Sequence, residues 1–210
     1  MHGDGPTLPE SPDEALLRAG FRDDDDARAL IRTHLGARDP RLRVLALRGG
    51  LRQSLLDEED WLRALADPDL DVRREALDLV AQAPVADQRI FDAMLERLHD
   101  ADALVVDGAI FALGEHLYVE AVVPLAQIAR DHEDARCRES AVAALGALGD
   151  DRGRAAVLNA LDDRAPVRRR AIVALTNFVG PDIDAALERA AQDRDWQVRA
   201  AVSQLGRDED

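Results

Sequence analysis

The sequence predicts an all-α fold: a right-handed solenoid, or superhelix, of about six helical hairpins forming one continuous domain over residues 11–210. Three observations carry that expectation. The chain is 47% hydrophobic but only 3% aromatic and rich in Ala, Leu, Asp and Arg, which suits closely packed helices rather than strands. One helix opening recurs at about 31 residues, a spacing typical of repeat architectures. Between its copies lie shorter segments with an apolar rhythm of their own.

The second copy shows the opening most completely. Asp67-Pro68 ends the preceding helix, because proline keeps the residue before it out of the α region and cannot continue a helical ladder. Asp69 is then placed as an N-cap, and Val72, Ala76, Leu79 and Val80 follow as one apolar stripe. Aligned on the apolar-Arg step, the copies start at Leu42-Arg43, Val72-Arg73, Val105-Val106, Cys137-Arg138, Val167-Arg168 and Val198-Arg199. Three residues earlier stand Asp39, Asp69, Asp102, Asp134, Arg164 and Asp195, an acidic cap in all but the fifth copy. Four residues after the apolar member come Ala46, Ala76, Ala109, Ala141, Ala171 and Val202, small enough to let helices approach closely.

The remaining elements follow in chain order. Residues 1–10 are Gly- and Pro-rich and are expected to be a disordered tail. Ser11-Pro12-Asp13-Glu14 is a capping box with proline at the first helical position, predicting a covering helix over 12–19. Asp23 to Asp26 place carboxylates at the start of the next helix, where the macrodipole favours them. First helices of later hairpins are read at 58–66, 88–98, 122–129, 153–161 and 183–191. The third copy is the least regular, with Val106 in place of the Arg and Gly108 inside the helix. Either it has drifted or it marks a bend.

Charge and composition exclude several functions. A net charge of −15 repels polyanions, so a nucleic-acid partner is not expected. No apolar run approaches the length of a membrane span, and the N-terminus lacks the features of a secretory signal, so the protein is read as cytoplasmic with no membrane partner. Cys137 is alone, which rules out an intramolecular disulfide, and its register position predicts a buried small hydrophobe. Every basic residue is Arg, as the codon bias of a GC-rich, bacterial genome would produce.

The turn DPDLDVRREAL and the ending AVAALGALGD resemble the HEAT-repeat family, in particular its short bacterial, phycobilin-lyase-type repeats, over residues 23 to 206. The resemblance implies a ladder in which the first Asp of each turn meets an Arg along the stack. The matching residues are Asp67, Asp100, Asp162 and Asp193 with Arg43, Arg73, Arg138, Arg168 and Arg199, and Ala37 stands where the first repeat's Asp would be. A planar guanidinium among the carboxylates of adjoining turns can satisfy several groups at once, so these residues are read as structural.

Proteins similar to this family include enzymes of several kinds. Deoxyhypusine hydroxylase binds two irons through repeated His-Glu steps; here only His132-Glu133 has that order, and Glu115-His116 is reversed. Five His across the chain are too few for such a cage, so no metal and no cofactor is expected. DNA glycosylases of this architecture place aromatic residues on a basic concave face. Trp61 and Trp196 are the candidates, and core or capping packing accounts for both. No catalytic residue is identified.

What remains is the concave side, which the second helices of a solenoid line. Its outward positions are Arg48, then Arg74, Glu75 and Asp78, then Asp107 and Phe111, then Glu139, and finally Arg169, Arg170, Val173 and Asn177. Phe111 and Val173 are apolar where a solvated helix is polar, and Arg168 to Arg170 gather basic charge in an acidic chain. Either Phe111 packs on a neighbour and the Arg run pairs with local Asp residues, or these residues form a protein-binding groove. The expected function is a non-enzymatic scaffold or adaptor holding a protein partner that carries a basic patch. The alternative is a HEAT-like enzyme or accessory subunit of the bilin lyase or metal-dependent protein hydroxylase type.

Overall fold

The computed structural model describes residues 11–205, so the expectation for residues 1–10 lies outside the described residues. Thirteen α-helices, two short 3-10 turns and no strand make up the described residues. The chain divides into two compact units, Met1–Ile90 and Phe91–Asp210, with the division inside α6 (Gln88–Arg97).

The first unit holds α1 (Pro12–Ala19), α2 (Asp25–His34), α3 (Pro40–Arg52), α4 (Glu58–Leu65) and α5 (Leu70–Val80). Helices α2 and α3 form one hairpin and α4 and α5 another, with α3 packed on α5. Helix α1 lies against α2 and α3 and begins with a complete capping box, Ser11 and Glu14 each accepting the other's backbone N–H. Asp24 caps α2 by accepting from the Ala27 N–H at 2.9 Å. Leu16, Ile31, Leu47, Leu65, Val72, Leu77 and Val80 fill the core.

The second unit holds the rest of α6, then α7 (Ala103–Glu115), α8 (Val122–Asp131), α9 (Ala135–Leu148), α10 (Asp151–Asn159), α11 (Ala165–Leu175), α12 (Pro181–Ala190) and α13 (Trp196–Leu205). The hairpins are α8–α9, α10–α11 and α12–α13, and the second helices stack in the order α7, α9, α11, α13. Ile110, Leu113, Leu125, Val142, Leu145, Val157, Ile172 and Leu175 are fully buried.

The opening of each second helix explains the repetition. Asp39, Asp69, Asp102, Asp134 and Asp195 each accept a hydrogen bond from the backbone N–H two residues on, at 2.8–3.0 Å. The fifth N-cap, Arg164, makes no side-chain cap, and Pro166 supports that helix start instead. Ala46, Ala76, Ala109, Ala141 and Ala171 have no solvent exposure, which lets the second helices close on their neighbours. Gly146 marks the tightest approach: a Cβ there would lie 2.5 Å from Ala174 Cβ. One detail of the apolar stripe is corrected. In α5 Leu77 is fully buried beside Val72, Ala76 and Val80, and Leu79 is half-buried, because a second helix packs on two neighbours and so buries an arc wider than a single stripe.

Candidate functional site

The Arg residues of the repeated step tie successive turns together. Arg43 grips Asp67 through Nε and Nη2 at 2.8 and 2.6 Å, while its Nη1 donates to the Ala37 and Arg38 carbonyls of its own turn. Arg138 repeats the arrangement with Asp163 and the His132 and Glu133 carbonyls, and Arg168 with Asp193 and the Asp163 carbonyl. Arg73 and Arg199 donate Nη1 to the carbonyls of Asp67 and Asp193. Each pair draws the Asp163 and Asp193 carboxyls below the ordinary carboxylate range, the facing Arg being the main cause.

One sequence reading of this ladder needs correction, and one turn departs from the pattern. In the fifth turn the partner is Asp163, not Asp162: residues Ala160–Asp162 close a 3-10 turn that leaves Asp162 exposed and turns Asp163 toward Arg138. In the fourth turn His132 stands at the Asp position, its Nδ1 accepting from the Asp134 N–H as Asp67 accepts from Asp69. The missing Arg at Val106 and the missing Asp at His132 belong to the same rung, so neither leaves a buried charge unmatched. Asp100 accepts from the Asp102 N–H at the start of α7.

On the second-helix face of the first unit, most charges are engaged locally. Arg48 and Glu75 form a bidentate pair with both contacts at 2.6 Å, Arg74 lies 3.6 Å from Asp71, and Asp78 is exposed. The corresponding face of the second unit is different. Counted from the apolar member of each step, Phe111, Ala143 and Val173 occupy one register on the stacked helices α7, α9 and α11. Phe111 is 52% exposed and Val173 49%, so neither packs into the core. Asp107 stands one turn before Phe111, and its Oδ1 is buried with no hydrogen-bond partner among the described residues. Glu139 lies 3.6 Å from Arg170, Asn177 is exposed, and Arg169 donates Nη1 to Gln197 Oε1 at 3.2 Å.

Trp196 was expected in core or capping packing, and the core half of that expectation fails. It is 67% exposed, whereas Trp61 is buried at 6%. The signal was its position: the first residue of a second helix projects away from the core, and Leu70 is likewise exposed there. Trp196 joins Arg169, Arg170, Val173, Gln197, Ala200, Ala201 and Gln204 around a groove of about 300 Å³ between α11 and α13.

The remaining candidates resolve into structure. The Cys137 thiol is buried, donates to the Ala103 carbonyl at 3.3 Å, and is pushed up to about 11 by burial, which leaves it protonated and unreactive at neutral pH. Asp24 of the Asp23–Asp26 run is the α2 cap, and Arg28 pairs with Asp23. Glu115 and His116 end α7, where His116 meets the edge of Phe91, itself stacked on Tyr118. Among the described residues no three His, Cys, Asp or Glu side chains cluster in a way that could hold a metal ion.

A model of HEAT repeats matches residues 58–146 and 91–175. No curated protein matches the sequence. Among solved structures the chain is similar to YibA of Escherichia coli, with 17% identity and a TM-score of 0.63 over 94% of this chain and 75% of that one. It is also similar to an engineered protein, with 17% identity and a TM-score of 0.64 over 86% and 94% of the two chains. A designed armadillo repeat protein in complex with the peptide (KR)4 gives 16% identity and a TM-score of 0.57 over 92% and 97%. These likenesses show a helical-repeat solenoid fold. The matched repeats cover more than half of the sequence, and the chain belongs to the HEAT-repeat family.

Proposed function

We propose that this protein is a non-enzymatic interaction scaffold, an adaptor that holds a protein partner on its second-helix faces. The observation that carries the reading is the row of exposed apolar side chains in the second unit, Phe111 and Val173 in one register with Trp196 beyond them. Solvated helices have no use for such a row, and apolar anchors among charges of both signs are the usual make-up of a protein interface. The residues proposed to contact the partner are Asp107, Phe111, Glu139, Arg169, Arg170, Val173 and Asn177 on the second unit. On the first unit they are Arg48, Arg74 and Asp78.

Charge supports the choice of partner. A net charge of −15 attracts a protein with a basic patch and repels nucleic acid. The designed armadillo protein that resembles this chain is itself complexed with a basic peptide, (KR)4. No helix among the described residues is long and apolar enough to cross a membrane, and a cytoplasmic location is part of the proposal.

The test is affinity capture from extract of the native host, with wild-type protein beside a Phe111→Ser/Val173→Ser variant of equal melting temperature. One protein retained by the wild type and lost from the variant is the expected result. Equal retention by both proteins, or retention by neither, would overturn the assignment of this face.

A further inference from the structure

We propose that the groove between α11 and α13 is a carboxylate-reading site, which takes an acidic residue of a bound peptide segment while that segment's adjacent apolar side chain lies against Trp196 and Val173. This rests on the reading of the second-helix face as a protein-binding surface, and it names what one part of that surface recognises.

The argument comes from how arginine is used throughout this chain. Arg43, Arg48, Arg138, Arg154 and Arg168 each close the Nε/Nη2 edge of the guanidinium on both oxygens of one carboxylate. That edge matches carboxylate geometry, and a two-point contact is among the stronger hydrogen-bonded arrangements available to a protein. Arg169 departs from the pattern. Among the described residues its hydrogen bond is from Nη1 to the neutral Gln197 amide, which holds the side chain at the groove while no hydrogen bond engages its Nε/Nη2 edge.

The surroundings favour the same occupant. Glu139 lies 3.6 Å from Arg170, and among the described residues no ion pair is formed by Arg169. The groove is lined by two cations and no carboxylate, in a chain whose net charge is −15. Trp196 provides an exposed aromatic wall, Val173, Ala200 and Ala201 an apolar floor, and Gln204 a further amide at the rim. A pocket with an apolar floor, one open fork and flanking amides fits an acidic residue next to an apolar one. The acidic positions Asp107 and Glu139 lie on the preceding helices α7 and α9, and the basic positions Arg169 and Arg170 on α11. A partner segment that is basic at one end and acidic at the other is then held in a single direction.

Trp196 reports directly on occupancy. The full-length protein is titrated with the capped peptide Leu-Asp-Glu-Asp-Leu and, separately, with its amide counterpart Leu-Asn-Gln-Asn-Leu, following the tryptophan emission that is absent from a Trp196→Phe variant. A saturable change with the acidic peptide is expected, at least about tenfold weaker with the amide peptide and with Arg169→Gln, since each removes a charge-assisted contact. No saturable change at millimolar acidic peptide, an equal response to the amide peptide, or an unchanged response in Arg169→Gln overturns the proposal. Val173 lines the groove but Phe111 does not, so capture repeated with Phe111→Ser alone makes the two readings fail separately. Partner capture that depends on Phe111 together with a failed titration leaves the scaffold reading standing without carboxylate recognition.

Discussion

Arg168 holds Asp193 through two nitrogens, Nε and Nη2 each 2.8 Å from a carboxylate oxygen, while Nη1 reaches back 2.8 Å to the Asp163 carbonyl. At 5% exposure Arg168 is a buried cation, and removing its partner strands that charge in the unit. Asp193→Ala is expected to destabilise folding by about 3 kcal/mol, whereas replacing both residues, as Arg168→Met/Asp193→Ala, recovers much of the loss. Urea unfolding of the three proteins checks this. Equal stability of wild type and Asp193→Ala would show that the rung contributes nothing.

The same pairs set the response to acid. Both Asp163 and Asp193 have their carboxyl pKa lowered on folding, chiefly by Arg138 and Arg168. A depressed folded-state value contributes stability that is complete above the unfolded carboxylate value, about 3.9, and is lost as pH falls through the lower folded value. Urea midpoints are therefore expected to drop steeply on the acid side of about pH 4 and to drop less steeply in an Asp163→Asn/Asp193→Asn protein. Parallel acid limbs for the two proteins would contradict this.

Val106 and His132 occupy the two register positions where the other turns place an Arg and an Asp. Val106 is buried, so Val106→Arg alone places an unmatched charge in the second unit and is expected to cost about 3 kcal/mol. Adding His132→Asp supplies the carboxylate, and the double variant is expected to regain at least about 1 kcal/mol. A thermodynamic cycle measured by chemical unfolding gives the coupling directly, and additive losses would show that the two positions do not form a rung.

Gly146 is fixed by the closeness of α9 and α11. Its added Cβ meets Ala174 Cβ at 2.5 Å and Cα at 2.7 Å, and the Cα belongs to backbone that cannot rotate away. Gly146→Ala gains in helix propensity but forces the two helices apart, with a net loss of about 1–3 kcal/mol. Calorimetry decides the sign, because a gain in stability would mean the seam can open without penalty.

Leu117 is an exposed side chain in the left-handed region, φ 48°, where the end of α7 turns through Leu117 N–H to Gly114 O and Tyr118 N–H to Leu113 O. Glycine is the usual residue at such a helix end, as Gly149 is after α9 with φ 60°. Leu117→Gly is expected to stabilise the protein by about 0.5–1 kcal/mol. A lower melting temperature would show that the leucine side chain repays its strain.

The fold was legible because the sequence states it repeatedly. Asp caps, small residues at one register and apolar-Arg steps act locally, and each points to the same hairpin. The ladder was less legible where neighbouring carboxylates compete: Asp162 fits the alignment, but the 3-10 turn before α11 presents Asp163. His132 was harder still, because a ring nitrogen accepts the same backbone hydrogen bond as a carboxylate without sharing its chemistry. For Trp196 the sequence left core and capping packing open, and only the direction of the first helical turn shows it facing solvent. The local pairing of Arg48 with Glu75 depends on two helices meeting side by side, which spacing along one chain does not disclose.

The rungs also have a direction in time. Arg43 waits for Asp67, Arg138 for Asp163 and Arg168 for Asp193, always a later carboxylate and always 24 or 25 residues ahead. As the chain leaves the ribosome, each of these second helices therefore emerges with a cation whose counter-charge has yet to be synthesised, and every such repeat is completed by its successor. A truncation placed just before a turn Asp removes the closing contact of the repeat upstream, so the damage reaches back into sequence that the truncation leaves intact.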